Sequence, residues 1–195
     1  MREENAPEQK EDFDLLARFN DGSGEAFARI VEKHSGALIN FLHRYTQDQT
    51  ASEDIAQEAF LRLYRAAPDL TPDAKLSTII YRIAYNLAVD RARKNKSRDA
   101  KASIQSLETG REGGLTGEPP DRPDTTPDAI YEKNQRNKEI AQMLAELPET
   151  QQLALLLKVY EDRSYAEIAE IMDLSVSSVE SLLFRARQNL AKRLK

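Results

Sequence analysis

Four of the seven glycines (Gly110, Gly113, Gly114, Gly117) and four of the eight prolines (Pro119, Pro120, Pro123, Pro127) fall within residues 110–127 of this 195-residue chain. No helix or strand of ordinary length runs through such a stretch, because glycine raises the entropic cost of order and proline removes backbone donors. The chain is therefore expected to divide into an N-terminal unit, residues 12–101, and a C-terminal unit, residues 127–195. A flexible linker over 102–126 would join them, behind a disordered N-terminus over 1–11. Both units carry apolar residues at helical spacing and neither alternates as a strand would. The expected fold class is all-α, with two small helical domains on a tether.

In the first unit, Asp12 to Asn20 and Gly24 to Tyr45 read as helices, the second with Phe27, Ile30, Val31, Leu38, Phe41 and Leu42 at helical spacing. A third, from Ala51 to Ala67, sets Ile55, Ala59 and Leu63 in one row and leaves Asp54, Gln57, Glu58, Leu61 and Arg65 on the opposite face. A break at Pro68-Asp69-Leu70-Thr71-Pro72 precedes a long helix from Lys75 to Lys94. Its expected core row is Leu76, Ile80, Ile83 and Leu87, and its other face gathers Lys75, Thr78, Arg82, Tyr85, Asn86 and Arg93. On that wheel Asp90 falls toward the apolar side.

In the second unit, Pro127 opens a helix that Pro148 ends, and a further helix spans Glu149 to Tyr160. Ser164-Tyr165-Ala166-Glu167 is a capping box, Asp173-Leu174 a tight turn, and Ser175 the cap of a last helix expected to bury Val176, Val179, Leu183, Ala186 and Leu190. Two short helices about a tight turn, the second opening with small polar residues, have the layout of a helix-turn-helix. Small hydroxyl side chains let such a helix approach a major groove, where Arg185 and Gln188 can reach base edges or phosphates.

The net charge of −5 argues against a polyanion as partner until its distribution is considered. Residues 1–74 hold 8 basic and 15 acidic side chains, whereas 75–101 hold 8 basic and 2 acidic, and 180–195 hold 5 and 1. Two basic segments, each ending an acidic block, suggest two separate contacts with a polyanion. The chain has no cysteine, which excludes disulfides, thiolate metal sites and a thiol nucleophile. His34 and His43 have no partner at ligand spacing, and neither a phosphate-binding glycine loop nor a nucleophile–base pair is present. No enzyme, metal or cofactor is expected. No apolar run approaches the roughly 18 residues of a membrane span, so a cytoplasmic protein without membrane insertion of its own is expected.

Leu147-Pro148-Glu149, Tyr165-Ala166-Glu167-Ile168-Ala169-Glu170-Ile171-Met172 and Phe184-Arg185-Ala186-Arg187 resemble the promoter-binding C-terminal domain of bacterial sigma factors. Asp54-Ile55-Ala56-Gln57-Glu58-Ala59-Phe60 resembles that family's core-polymerase-binding helix. Tyr81-Arg82-Ile83-Ala84-Tyr85-Asn86-Leu87-Ala88-Val89-Asp90 resembles its promoter-melting helix. With no further domain, the chain is similar to the extracytoplasmic-function (ECF) branch of the sigma-70 family.

The resemblance implies that residues 12–101 are sigma region 2, with Asp54, Gln57, Glu58 and Leu61 docking on the clamp of core RNA polymerase. It implies a minus-ten DNA contact through Leu70, Lys75, Thr78, Tyr81, Arg82, Tyr85, Asn86 and Arg93, with Arg91, Lys94, Lys96 and Arg98 tracking phosphates. Melting requires bases to leave the stack, which calls for a base pocket and an aromatic or guanidinium platform. Residues 127–195 would be sigma region 4, with Ser177, Ser178, Glu180, Ser181, Phe184, Arg185 and Gln188 nearest the minus-thirty-five duplex. A cognate anti-sigma factor is the further partner the resemblance implies. Ile79, Glu180 and Leu182 depart from the family pattern. Glu180 in particular repels phosphate but accepts from a cytosine amino group, which predicts altered base preference. Read from the residues alone, an autonomous helix-turn-helix regulator with an N-terminal sensing or dimerisation domain is the competing function.

Overall fold

The computed structural model describes residues 6–70, 74–102 and 139–193, with backbone only for 6–8 and 96–102. The expected linker, most of the helix expected to begin at Pro127, and residues 71–73 of the expected promoter loop lie outside the described residues. Every regular element described is helical. They are α1 (Ala6–Asn20), α2 (Gly24–Thr46), α3 (Gln49–Ala66), a 3-10 turn (Ala67–Asp69) and α4 (Leu76–Ala102). After them come α5 (139–145), α6 (Glu149–Val159), α7 (Tyr165–Met172) and α8 (Val176–Arg193). Helix α1 begins at Ala6, ahead of the expected start at Asp12, and Glu11 within it pairs with Lys33 of α2 at 2.8 Å.

The turns follow from local chemistry. Gln47 ends α2 in the left-handed region (φ 55°), and Asp48 caps α3 by accepting from the Ala51 N–H at 3.0 Å. Ser52, fully buried, donates to the Asp48 carbonyl at 2.6 Å and lies 2.8 Å from Thr46 Oγ1. The capping box is formed as expected: Ser164 Oγ accepts from the Glu167 N–H, and Glu167 accepts from the Ser164 N–H at 2.9 Å. Asp173 makes the turn at φ 54°, and Ser175 Oγ caps α8 by accepting from the Ser178 N–H at 3.2 Å.

Helices α1 to α4 enclose Ile30, Leu38, Phe41, Leu42, Leu63, Leu76 and Ile80, while α6 to α8 enclose Leu153, Leu156, Leu157, Ile168, Ile171 and Val179. The two sets join in one buried apolar cluster, because α7 packs along α4 and α6 packs on α2. This contact rotates α4 relative to the expected wheel. Ala84 and Ala88 complete its buried row, Ile83 and Leu87 are only half-buried, and Asp90 is exposed to solvent. An isolated amphipathic helix has one apolar stripe, but α4 is covered by α3 on one side and α7 on another. Val176 also departs from expectation: it is 44% exposed, at the first turn of α8. Among the described residues, no helix is long and apolar enough to cross a membrane.

Candidate polymerase and nucleic-acid interfaces

Three surfaces carry the residues singled out above. The first is on α3, where Asp54, Gln57, Glu58 and Leu61 stand at i, i+3, i+4 and i+7 and form one outward row. Leu61 is 45% exposed, high for a leucine flanked by charge. Asp54 meets Arg91 of α4 at 3.4 Å, and Glu58 accepts from Arg62 at 3.0 Å, both exposed pairs of small energetic weight. Beside this row a groove of about 350 Å³ opens between α2 and α3, lined by Phe27, Val31, Ile39, Phe60, Leu61 and Tyr64, with Glu53 and Gln57 at its rim. Phe19, Phe27 and Tyr64 close one end as a mutual aromatic cluster with centroids 4.8–5.1 Å apart. The row was legible from helical spacing. The groove was not, although Phe27, Val31 and Ile39 give α2 more apolar residues than one core stripe needs.

The second surface is α4 and the segment before it, and the structure divides its expected residues. Arg82, Asn86 and Arg93 are exposed on the outer face, and Leu70 and Tyr85 are half-buried. Burial pushes the Tyr85 hydroxyl pKa up, the Glu149 carboxylate adds to this, and Arg93 opposes it. Lys75 and Tyr81 instead meet the second unit, and Thr78 is buried. Thr78 is 1% and Tyr81 2% exposed, so neither is available to a nucleic acid in this arrangement. The Tyr81 hydroxyl donates to Glu161, its ring lies edge-on to Phe41 at 5.2 Å, and the Arg163 guanidinium sits over it at 4.7 Å. Burial first, and then Glu161, drive the Tyr81 pKa far above the usual phenol value.

Lys75 Nζ donates to Glu167 at 2.8 Å. Burial works against the Glu167 carboxylate, yet the bonds from Lys75 and from Ser164 outweigh it and bring its pKa down to about 2. Arg91 and Lys94 continue the basic face of α4, Lys94 exposed and Arg91 half-buried beside Asp54. The side chains of Lys96 and Arg98 lie outside the described residues.

The third surface is the outer face of α8. Ser177, Glu180, Ser181, Phe184, Arg185 and Gln188 are exposed along it, Phe184 at 60%, while Ser178 is half-buried beside its cap. Val179, Leu183 and Ala186 hold the opposite face against α6 and α7. A helix fixed from behind, with short hydroxyl groups leading and longer groups following, is the geometry required for major-groove reading. Leu182 is half-buried against the core, so this departure from the family pattern is a packing residue.

Residues 30–98 match the model of sigma-70 region 2, and residues 137–190 that of sigma-70 region 4. The chain is 30% identical over 188 residues to the RNA polymerase sigma-H factor of Pseudomonas aeruginosa, a match covering 95% of each chain. It is 32% identical to the ECF RNA polymerase sigma factor SigW of Bacillus subtilis, over 92% of this chain and 95% of that one. The ECF RNA polymerase sigma-E factor of Escherichia coli is 31% identical, over 93% of both. Among solved structures, CnrH in complex with the cytosolic domain of CnrY has the same fold, with a TM-score of 0.68 at 22% identity over 94% of this chain and 97% of that one. So does the sigma factor RpoE in complex with the anti-sigma factor NepR from Bartonella quintana, with a TM-score of 0.65 at 17% identity over 86% of this chain and 96% of that one. With both sigma regions in order and near full-length relatives at this identity, the chain belongs to the ECF sigma factors of the sigma-70 family.

Proposed function

We infer that this chain is a transcription initiation factor that joins core RNA polymerase and directs it to promoters, contributing recognition and no bond-making chemistry of its own. The observation that carries the reading is the separation of unlike surfaces on one scaffold. The α3 row is acidic and polar with an exposed leucine beside an apolar groove, which suits a basic protein helix and repels DNA. The α4 and α8 faces are basic or hydroxyl-rich and suit nucleic acid.

On this reading Asp54, Gln57, Glu58 and Leu61 dock on the polymerase clamp. Arg82, Tyr85, Asn86 and Arg93, joined by Leu70 and Lys75, hold the minus-ten strand as its bases leave the stack, and Thr78 and Tyr81, buried in this arrangement, join them only after a rearrangement exposes them. Ser177, Ser178, Glu180, Ser181, Phe184, Arg185 and Gln188 contact the minus-thirty-five duplex. Each DNA contact is small, and tethering two on one chain raises their joint affinity through effective concentration. An anti-sigma factor is the proposed further partner, the kind of protein bound in the RpoE–NepR complex.

The test is initiation in vitro with purified core polymerase, this chain and a genomic library, with transcript starts sequenced. Transcripts that require the chain and fall at least about tenfold with Asp54→Ala/Glu58→Ala are expected, since losing docking contacts worth about 1.4 kcal/mol is a tenfold change. Specific duplex binding by the chain alone, with no dependence on polymerase, would instead favour an autonomous regulator.

A further inference from the structure

Helix α8 carries a single acidic side chain, Glu180, among groups that suit a polyanion, and the structure leaves it unpaired. Its carboxylate is exposed and has no hydrogen-bond or ion-pair partner among the described residues. The helix itself offers none. The side chains one turn away are Val176, Ser177, Leu183 and Phe184, and Arg185 and Arg187 stand at i+5 and i+7. The hydroxyls at the cap are already engaged, Ser175 Oγ lying 3.1 Å from Ser177 Oγ and 2.8 Å from Ser178 Oγ. Glu180 and Ser181 are therefore the first groups along the helix whose hydrogen-bonding capacity is unspent. Val179 and Leu183 are buried on either side of Glu180 and fix the backbone that carries it, so the carboxylate meets any duplex that lies on this face.

A carboxylate brought to a duplex is repelled by the phosphates and gives up water on entering the groove, so it is tolerated only where the DNA supplies a donor. In the major groove that donor is an exocyclic amine, on cytosine N4 or adenine N6. Guanine shows only the acceptors N7 and O6, and thymine the O4 acceptor and a methyl group, so neither answers a carboxylate. Adenine sets its N7 acceptor beside the N6 amine, where an acceptor-only group is repelled. Cytosine presents the amine with no acceptor beside it on its own edge. We propose that Glu180 is a specificity-determining residue of region 4, selecting a cytosine at one position of the minus-thirty-five element and rejecting the other bases there by unanswered charge. The inference rests on the reading of α8 as the minus-thirty-five reader and deepens it by naming a base. Discrimination by repulsion also keeps affinity for arbitrary sequence low, offsetting Arg185 and Arg187, which any phosphate attracts.

In the test, holoenzyme assembled from core polymerase and the full chain transcribes a barcoded promoter library whose minus-thirty-five segment is randomised and whose minus-ten segment is held constant. Wild type, Glu180→Gln and Glu180→Ala are compared by sequencing the barcodes in the transcripts, and far-UV circular dichroism establishes that each protein is folded. Wild type is expected to enrich cytosine at one position about tenfold over the other bases. Glu180→Gln, whose amide pairs with adenine N6 and N7, should move the preference at that position to adenine, and Glu180→Ala should flatten it, with the rest of the element unchanged. Identical preferences in all three proteins overturn the proposal. An equal rise in the use of every sequence with Glu180→Ala overturns it too, making the carboxylate a general repeller of DNA. So does a loss of activity that no minus-thirty-five sequence modulates, the mark of a contact with protein. Selection of randomised duplex by the full chain alone runs in parallel. If wild type supports no transcription, the promoter reading fails, and the duplex selection still decides whether Glu180 chooses a base.

Discussion

Asp12 is 3% exposed, and both its oxygens are engaged: Oδ1 accepts from Lys33 at 2.8 Å, and Oδ2 lies 3.2 Å from His34 Nε2. It ties α1 to α2 at the edge of the apolar core. Burial raises its pKa, but the bonds from His34 and Lys33 and their charges outweigh that and hold it below the usual carboxylate value. A lowered pKa means the unfolded chain binds the proton more readily. Asp12 therefore contributes stability that is complete above the ordinary carboxylate pKa and is lost as pH falls below it. Asp12→Asn is expected to cost about 1–3 kcal/mol at neutral pH, with the difference from wild type shrinking as the buffer is acidified. Urea unfolding at a series of pH values measures both. A cost that does not change between neutral and strongly acidic buffer would show that the carboxylate charge contributes nothing. His34 was legible as a helical histidine without ligands, but its partner was not, because nothing local links residues 22 apart in sequence.

At the scale of elements, the helix-turn-helix depends on the chain reversing at Asp173, whose φ of 54° lies in the left-handed region. Residues other than glycine, asparagine and aspartate enter that region at a cost of roughly 1–2 kcal/mol. Asp173→Gly should leave stability equal or slightly raised, and Asp173→Val should lower it by about 1–2 kcal/mol. Thermal unfolding of the two variants compares them directly, and equal midpoints would mean that the turn geometry is not what Asp173 supplies. The capping box, the turn and the Ser175 cap were all legible in sequence, because each is closed by bonds between residues within five positions of one another. The buried row of α4 was only half legible. Leu76 and Ile80 follow from periodicity, but choosing Ala84 and Ala88 over Ile83 and Leu87 requires knowing that α7 lies against the helix.

For the whole molecule, the two sigma regions share one buried cluster and a polar rim, which couples their stabilities. The free chain is expected to unfold in a single calorimetric transition, and Glu161→Gln/Arg163→Ala to split it into two as the regions melt separately. Two transitions already present in the wild type would show that the contact is too weak to couple them. Tyr81 illustrates what this scale decides. From sequence it belongs to the DNA face of α4, and the fold places it at 2% exposure beneath Arg163, 82 positions further along the chain.

Short-range periodicity and local hydrogen bonding were enough for most of the described helices, the capping box and the outward rows on α3 and α8, and the quoted motifs carried the family resemblance. It took the packing of the helices to show which side of α4 is buried, that Asp90 is in solvent and Thr78 is not, and that Glu161, Arg163 and Glu167 meet Lys75, Ser77 and Tyr81. The physical reason is range. Helical propensity and capping act over one turn, whereas a contact between surfaces eighty or more residues apart is chosen by the packing and charge complementarity of two already formed units.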